Sequence, residues 1–122
     1  CLDESLAYAR ERESMGRPLI AHQAIAHKLA DMRLRLETAR LLTYQAAWRL
    51  DNGLNNTIEA SMAKVNAADS AMWAATETIQ IFGGMGYSTE YPAEKLFRDA
   101  KVLQIYEGTS EIQRNIIARE LM

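Results

Sequence analysis

Apolar residues recur along this chain at helical spacing, and polar breaks divide it into five segments. Residues 2–15, LDESLAYARERESM, form an amphipathic helix punctuated by Gly16 and Pro18. From about Ile20 to Leu50, Ile25, Leu29, Met32, Leu36, Ala39, Ala46 and Leu50 follow each other in steps of four and three, with Thr43 filling the gap. That is a helix-bundle seam close to a heptad. Asp51-Asn52-Gly53 ends it, because Gly or Asn takes the left-handed backbone a helix stop requires. A third helix runs from Asn56 or Thr57 to Phe82. Ile58, Met62, Val65, Asp69, Met72, Thr76 and Ile79 repeat the spacing, interrupted by Asp69 and Thr76. Either those two face a polar site, or the seam shifts to the Ala-rich face of Ala60, Ala63, Ala67, Ala71 and Ala74; the shift is the favoured reading. Met62, Met72, Trp48 and Trp73 are read as core.

Gly83-Gly84-Met85-Gly86 breaks the helical pattern, as a helix stop or as a place where backbone approaches a neighbour closely. Pro92 opens a short fourth helix over about 92–103, with Glu94 near its positive end. The last helix starts at Thr109 or Ser110. No stretch alternates with period two, so no sheet is expected. The predicted fold is an all-α up-down bundle: two long antiparallel helices with shorter ones packed on them, one domain over residues 1–122.

Composition narrows the function. The chain has 122 residues, 14 basic and 16 acidic, for a net charge of −2. No basic excess points to nucleic acid or an anionic membrane surface, and no apolar run is long enough to span a bilayer. The single cysteine, Cys1, cannot form an internal disulfide. His22 and His27 are five apart with no carboxylate cluster beside them, so no metal site is expected. Neither Ser110 nor Cys1 lies in a nucleophile motif. The chain begins on Cys with a helix already under way, which reads as part of a longer protein.

One stretch does carry chemistry: Gln104-Ile105-Tyr106-Glu107-Gly108-Thr109-Ser110-Glu111-Ile112-Gln113-Arg114. It sets a carboxylate, Glu107, before a glycine and a helix start. Ser110 and Gln113 fit a capping box, and Thr109 is the alternative cap one residue earlier. By pattern alone Glu107 is either a solvated loop residue or a base turned inward by Gly108.

IYEGTSEIQR resembles the C-terminal signature of the acyl-CoA dehydrogenase family. YARERESMG, HQAI, QIFGGMG and YPxEKLxRDAK resemble other blocks of that family, in the same order. The resemblance implies a C-terminal helical domain of an FAD-dependent enzyme that desaturates acyl-CoA thioesters between the α and β carbons. In it Glu107 takes the α-proton and the β-hydrogen leaves as hydride to flavin. It further implies FAD contacts at Arg12 and Ser14, in the part of the chain near phosphate and adenine. Gln23, Gln80, Gly83 and Gly84 match positions that reach the FAD of a neighbouring subunit. Thr109 and Glu111 match positions beside FAD after the base, and Gly108 and Arg119 match substrate contacts. Glu13 stands where some relatives have Lys, and Glu111 where some have Gln. Expected partners are acyl-CoA, an electron-transfer flavoprotein and further copies of the chain in a dimer or tetramer. The expected location is the bacterial cytoplasm or the mitochondrial matrix. The family's N-terminal helical and middle β domains are not in these residues, so the chain alone is expected neither to hold FAD tightly nor to turn over substrate. The alternatives are a non-catalytic helical oligomerisation module and an acyl-CoA oxidase-like offshoot.

Overall fold

The computed structural model describes all 122 residues. Five helices, α1 (Leu2–Glu11), α2 (Gln23–Asp51), α3 (Thr57–Phe82), α4 (Ala93–Leu103) and α5 (Ser110–Leu121), account for most of the chain. No helix is long and apolar enough to cross a membrane.

The two long helices are antiparallel. Lys28 near the start of α2 pairs with Glu77 near the end of α3, and Arg49 pairs with Glu59 (3.2 Å) at the opposite ends. The connection turns where the Asp-Asn-Gly signal lies: α2 ends at Asp51 and Gly53 has φ +67°. Asn56 Nδ2 donates to the Ala46 carbonyl (3.3 Å) and closes the turn.

α3 is the central element and packs against all four other helices. It therefore buries residues on more than one face: Ser61, Ala63, Ala68, Ser70, Ala75, Thr78, Ile81 and Phe82. Small residues dominate the list, as expected where several helices crowd one axis. The predicted Ala stripe is partly right. Ala63 is buried and Ala67, Ala71 and Ala74 are half-buried, but Ala60 is exposed. Thr76 is exposed and donates to its own Met72 carbonyl (2.9 Å). Asp69 faces a polar site, the alternative that the sequence reading ranked second.

The α2 seam holds at Leu29, Met32 and Ala46 and fails at Leu36, Thr43 and Leu50, which are exposed. Trp48 is 60% exposed and is not a core residue, correcting the sequence reading. Trp73 is half-buried, packs against the cluster of Ala9, Leu29, Met32 and Ile81, and carries the Arg35 guanidinium 4.4 Å over its ring.

α1 is fixed on α3 by a buried polar pair. Ser5 Oγ donates to Thr78 Oγ1 (3.0 Å), which donates to the Ala74 carbonyl (2.8 Å), so neither hydroxyl is left unpaired. One turn on, the Tyr8 ring stacks on Phe82 at 4.0 Å, and Tyr91 meets both edge-on.

Two boundaries differ from expectation. α1 ends at Glu11 rather than near residue 15, because Arg12 turns extended and the chain forms a hairpin, β1 (Glu13–Ser14) against β2 (Arg17–Pro18). Met15 and Gly16, both at positive φ, make its two-residue turn. α2 starts at Gln23, not Ile20, after a 3₁₀ turn over Leu19–Ala21. This small sheet corrects the expectation of none; strands of two residues are too short to show alternation.

Candidate functional site

The predicted site residues fall into two groups at different levels of α3. The first gathers where α1 and α3 end. Tyr8 and Phe82 bring these ends together, so the hairpin lies near the glycine run. Arg12 caps α1 with no ion pair, Ser14 lies in β1, Gln23 opens α2, and all three are exposed. The Ser14 carbonyl accepts from His22 Nε2 (3.0 Å), while His22 Nδ1 faces Arg17 (3.2 Å). The Arg17 guanidinium can only donate, so in this contact Nδ1 is the acceptor. Gln80, Gly83 and Gly84 are exposed at the end of α3. Gln80 lines a groove of ≈ 620 Å³ with Phe97 and Arg98 of α4. Gly83 has φ +61°, which favours glycine, and open space lies above Gly83 and Gly84. Gly86 differs. A Cβ there would sit 2.7 Å from the Ile79 carbonyl oxygen, so the close backbone approach that was one of two readings of this run occurs at its last glycine.

The second group is the loop between α4 and α5. Glu107 has φ +51°, unusual for a residue with a side chain, and Gly108 follows at φ +86°. Their carbonyls are both held: Gln113 Nε2 donates to Glu107 O (3.3 Å) and Lys64 Nζ donates to Gly108 O (2.5 Å). The loop's neck closes with Ser110 N donating to Gln104 O (3.0 Å). Thr109 is the helix cap, its hydroxyl accepting from Ile112 N (3.2 Å). Ser110 and Gln113 therefore do not form the capping box. Ser110 points to α3 instead, and Gln113 reaches past the cap to Glu107.

Asp69 of α3 receives three of the loop's side chains. Gln104 Nε2 (2.7 Å) and Ser110 Oγ (3.1 Å) donate to Oδ1, and Arg114 pairs with Oδ2. Burial pushes the Asp69 carboxyl up, but the hydrogen bonds from Gln104, Arg114 and Ser110 outweigh it and hold the pKa below the usual 3.8. Sequence reading gave Lys64 no part in this site, offered a polar site at Asp69 only as its second choice, and named Gln104 and Arg114 only as the ends of the motif, without a role. The available signal was the charge at Asp69 breaking an apolar seam.

By contrast, the Glu107 carboxylate is exposed and takes part in no ion pair or side-chain hydrogen bond. Glu111 is also exposed. Its own backbone N–H and the Thr109 hydroxyl favour its charged form and lower its pKa. A fixed negative charge thus stands at the start of α5. Arg119 lies two turns further along, exposed near Glu120 (3.5 Å).

By helix rise, Lys64 and Gly83 are roughly 30 Å apart along α3. The loop group and the glycine group cannot close on one small ligand. Only an extended ligand, or two ligands, would occupy both.

Comparison with known proteins gives a consistent answer. The model of the acyl-CoA dehydrogenase C-terminal domain matches residues 1–122. An acyl-CoA dehydrogenase of Bacillus subtilis is 54% identical over 121 residues, 99% of this chain and 32% of that protein. The mitochondrial short-chain specific acyl-CoA dehydrogenase of Rattus norvegicus is 52% identical over 99% of this chain and 29% of its own length. The structure of butyryl-CoA dehydrogenase from Megasphaera elsdenii superposes with a TM-score of 0.96 at 46% identity, covering 98% of this chain and 31% of that one. The chain thus spans about a third of the length of the relatives it matches.

Proposed function

We propose, from the premise that the chain belongs to the acyl-CoA dehydrogenase family as its C-terminal domain, that Glu107 is the base removing the α-proton of an acyl-CoA thioester. One observation carries the reading. The backbone at Glu107–Gly108 is held at positive φ and tied at both carbonyls, while the Glu107 carboxylate is left uncommitted. A loop residue with no task has no need of that combination. Residues held in sparsely populated backbone regions cost about 1–3 kcal/mol and persist where the surroundings fix them.

The chemistry sets further demands. An α-proton beside a thioester is too weakly acidic for an unaided carboxylate, so donors must stabilise charge developing on the carbonyl oxygen. The base must be ionised when it acts and shielded from water, which raises its proton affinity towards the working range. In this chain Glu107 is exposed, so the shielding surface has to be one that a single copy of these 122 residues does not supply. Tyr106, beside it and also exposed, is placed to join that surface.

The cofactor proposed is FAD, which when bound supplies the hydride acceptor. The residues fit its polar portion: Arg12 is an unpaired cation, Ser14 and Gln23 are exposed polar groups, and Gly83 and Gly84 leave open space above the backbone. They provide no enclosed apolar slot for the ring system. The roughly 30 Å between the loop and the glycine run agrees with these groups serving the cofactors of different subunits. The substrate contacts assigned to Gly108 and Arg119 and the electron-transfer flavoprotein partner are carried from the family resemblance. The exposed apolar residues of α2, Leu34, Leu41, Tyr44 and Trp48, favour assembly into a dimer or tetramer.

The test is Glu107→Gln in the full-length gene product containing this chain. Loss of a general base lowers turnover by about 10²- to 10⁴-fold, with FAD content unchanged. Unaltered turnover would place the base elsewhere. The isolated 122-residue chain, mixed with FAD and passed through a desalting column, is expected to retain none.

A further inference from the structure

We propose that Asp69 and Lys64, both on α3, are positioning residues that set the direction in which Glu107 presents its carboxylate. The inference rests on Glu107 being the base. It adds two residues that do not touch the substrate.

The geometry is that of a clasp. Asp69 holds the loop by its neck: Gln104 closes α4, Ser110 opens α5, and Arg114 follows one turn on. Both oxygens of one carboxylate are thereby used, and both sides of the neck are fixed to the same helix. Lys64 holds the apex. Its ammonium makes no ion pair with any carboxylate and donates to Gly108 O (2.5 Å). A lysine spent on a neutral carbonyl in a chain with more acids than bases is poorly explained by charge balance. It is explained by a carbonyl that must not rotate. Gln113 completes the frame from inside the loop, at Glu107 O.

The Glu107 backbone is the part under strain, at φ +51°. Left untied, a non-glycine residue there would relax towards negative φ and swing its side chain away. Packing of α5 on α3 needs only apolar contact. The neck and apex bonds act instead on the backbone conformation at Glu107, which sets where its side chain leaves the chain. Misplacing a reacting group by about 1 Å costs on the order of 10²-fold in rate, so a loosened clasp is expected to show in chemistry before it shows in binding.

The experiment compares Asp69→Asn, Lys64→Met and Lys64→Arg with wild type in the FAD-loaded full-length gene product. The readouts are kcat per bound flavin, KM, exchange of the acyl-CoA α-proton with D₂O, and melting temperature. Asp69→Asn and Lys64→Met are expected to lower kcat and exchange together by ~10- to 100-fold, with KM and flavin content little changed. Lys64→Arg, which keeps a donor at Gly108 O, is expected to recover most of the loss. A fall in melting temperature with normal kcat per flavin and normal exchange would overturn the proposal and leave a structural role only. Should Asp69→Asn fail to fold, the two Lys64 variants decide alone. If Glu107→Gln, run beside them, keeps wild-type kcat and wild-type exchange, the assignment of Glu107 fails and this inference with it. Normal exchange in wild type and in both disruptive variants would overturn this inference alone.

Discussion

Thr109 shows how much one side chain does here. Its hydroxyl satisfies the Ile112 N–H at the start of α5, directly after the strained Glu107–Gly108 pair. Thr109→Ala is expected to destabilise the protein by about 1 kcal/mol, measured by urea denaturation, and Thr109→Ser to restore it. Asp69 makes a prediction about acid. Its folded pKa lies below the ordinary 3.8, so the unfolded state binds a proton first as pH falls. Its stabilisation is fully present above the unfolded value and is lost as pH drops through the lower, folded one. The stability gap between wild type and Asp69→Asn is therefore expected to stay constant from pH 7 to 5 and to narrow below about pH 4, which acid titration of the two proteins reads directly.

At the level of elements, the glycine run separates two uses of the same residue. At Gly86 an added Cβ meets the Ile79 carbonyl at 2.7 Å, and backbone cannot step aside. Gly86→Ala is expected to cost about 1–3 kcal/mol in thermal or chemical unfolding. Gly84→Ala, with nothing within 4 Å, is expected to change stability far less. This also marks what the sequence made legible. The five helices, the stop at Gly53 and the start after Pro92 could be read because periodicity and turn residues are local signals. The hairpin at Met15–Gly16 could not, since its strands are too short to alternate. The α2 seam overreached at Leu36, Thr43 and Leu50, and Trp48, which lies off that seam, is in solvent as well, because periodicity shows which residues share a face and not what covers it. At the site, Glu107 was visible within a motif, but the cap was read first as a Ser110–Gln113 box and only second as Thr109, which it is. The clasp was not visible, because Lys64 and Asp69 lie 44 and 41 residues from their partners Gly108 and Ser110, and no local spacing encodes that meeting.

For the whole molecule, α3 is the axis on which the other helices depend, and its ends carry different work. The hairpin and the glycine run sit at one end, the loop of Glu107 towards the other. α2, in contrast, shows Leu34, Leu41, Tyr44 and Trp48 to solvent. The chain on its own is expected to self-associate with rising concentration in sedimentation velocity, and the pair Leu41→Glu and Trp48→Glu to return it to monomer without loss of helicity. The tethers on the Glu107 loop bear on how a catalytic cycle would be timed. A segment pinned at its neck and at both central carbonyls is a poor gate. On the proposed function, a covering surface and not this loop would open to admit a long thioester and release the product, while Glu107 stays in place like a fixed post beside a swinging door.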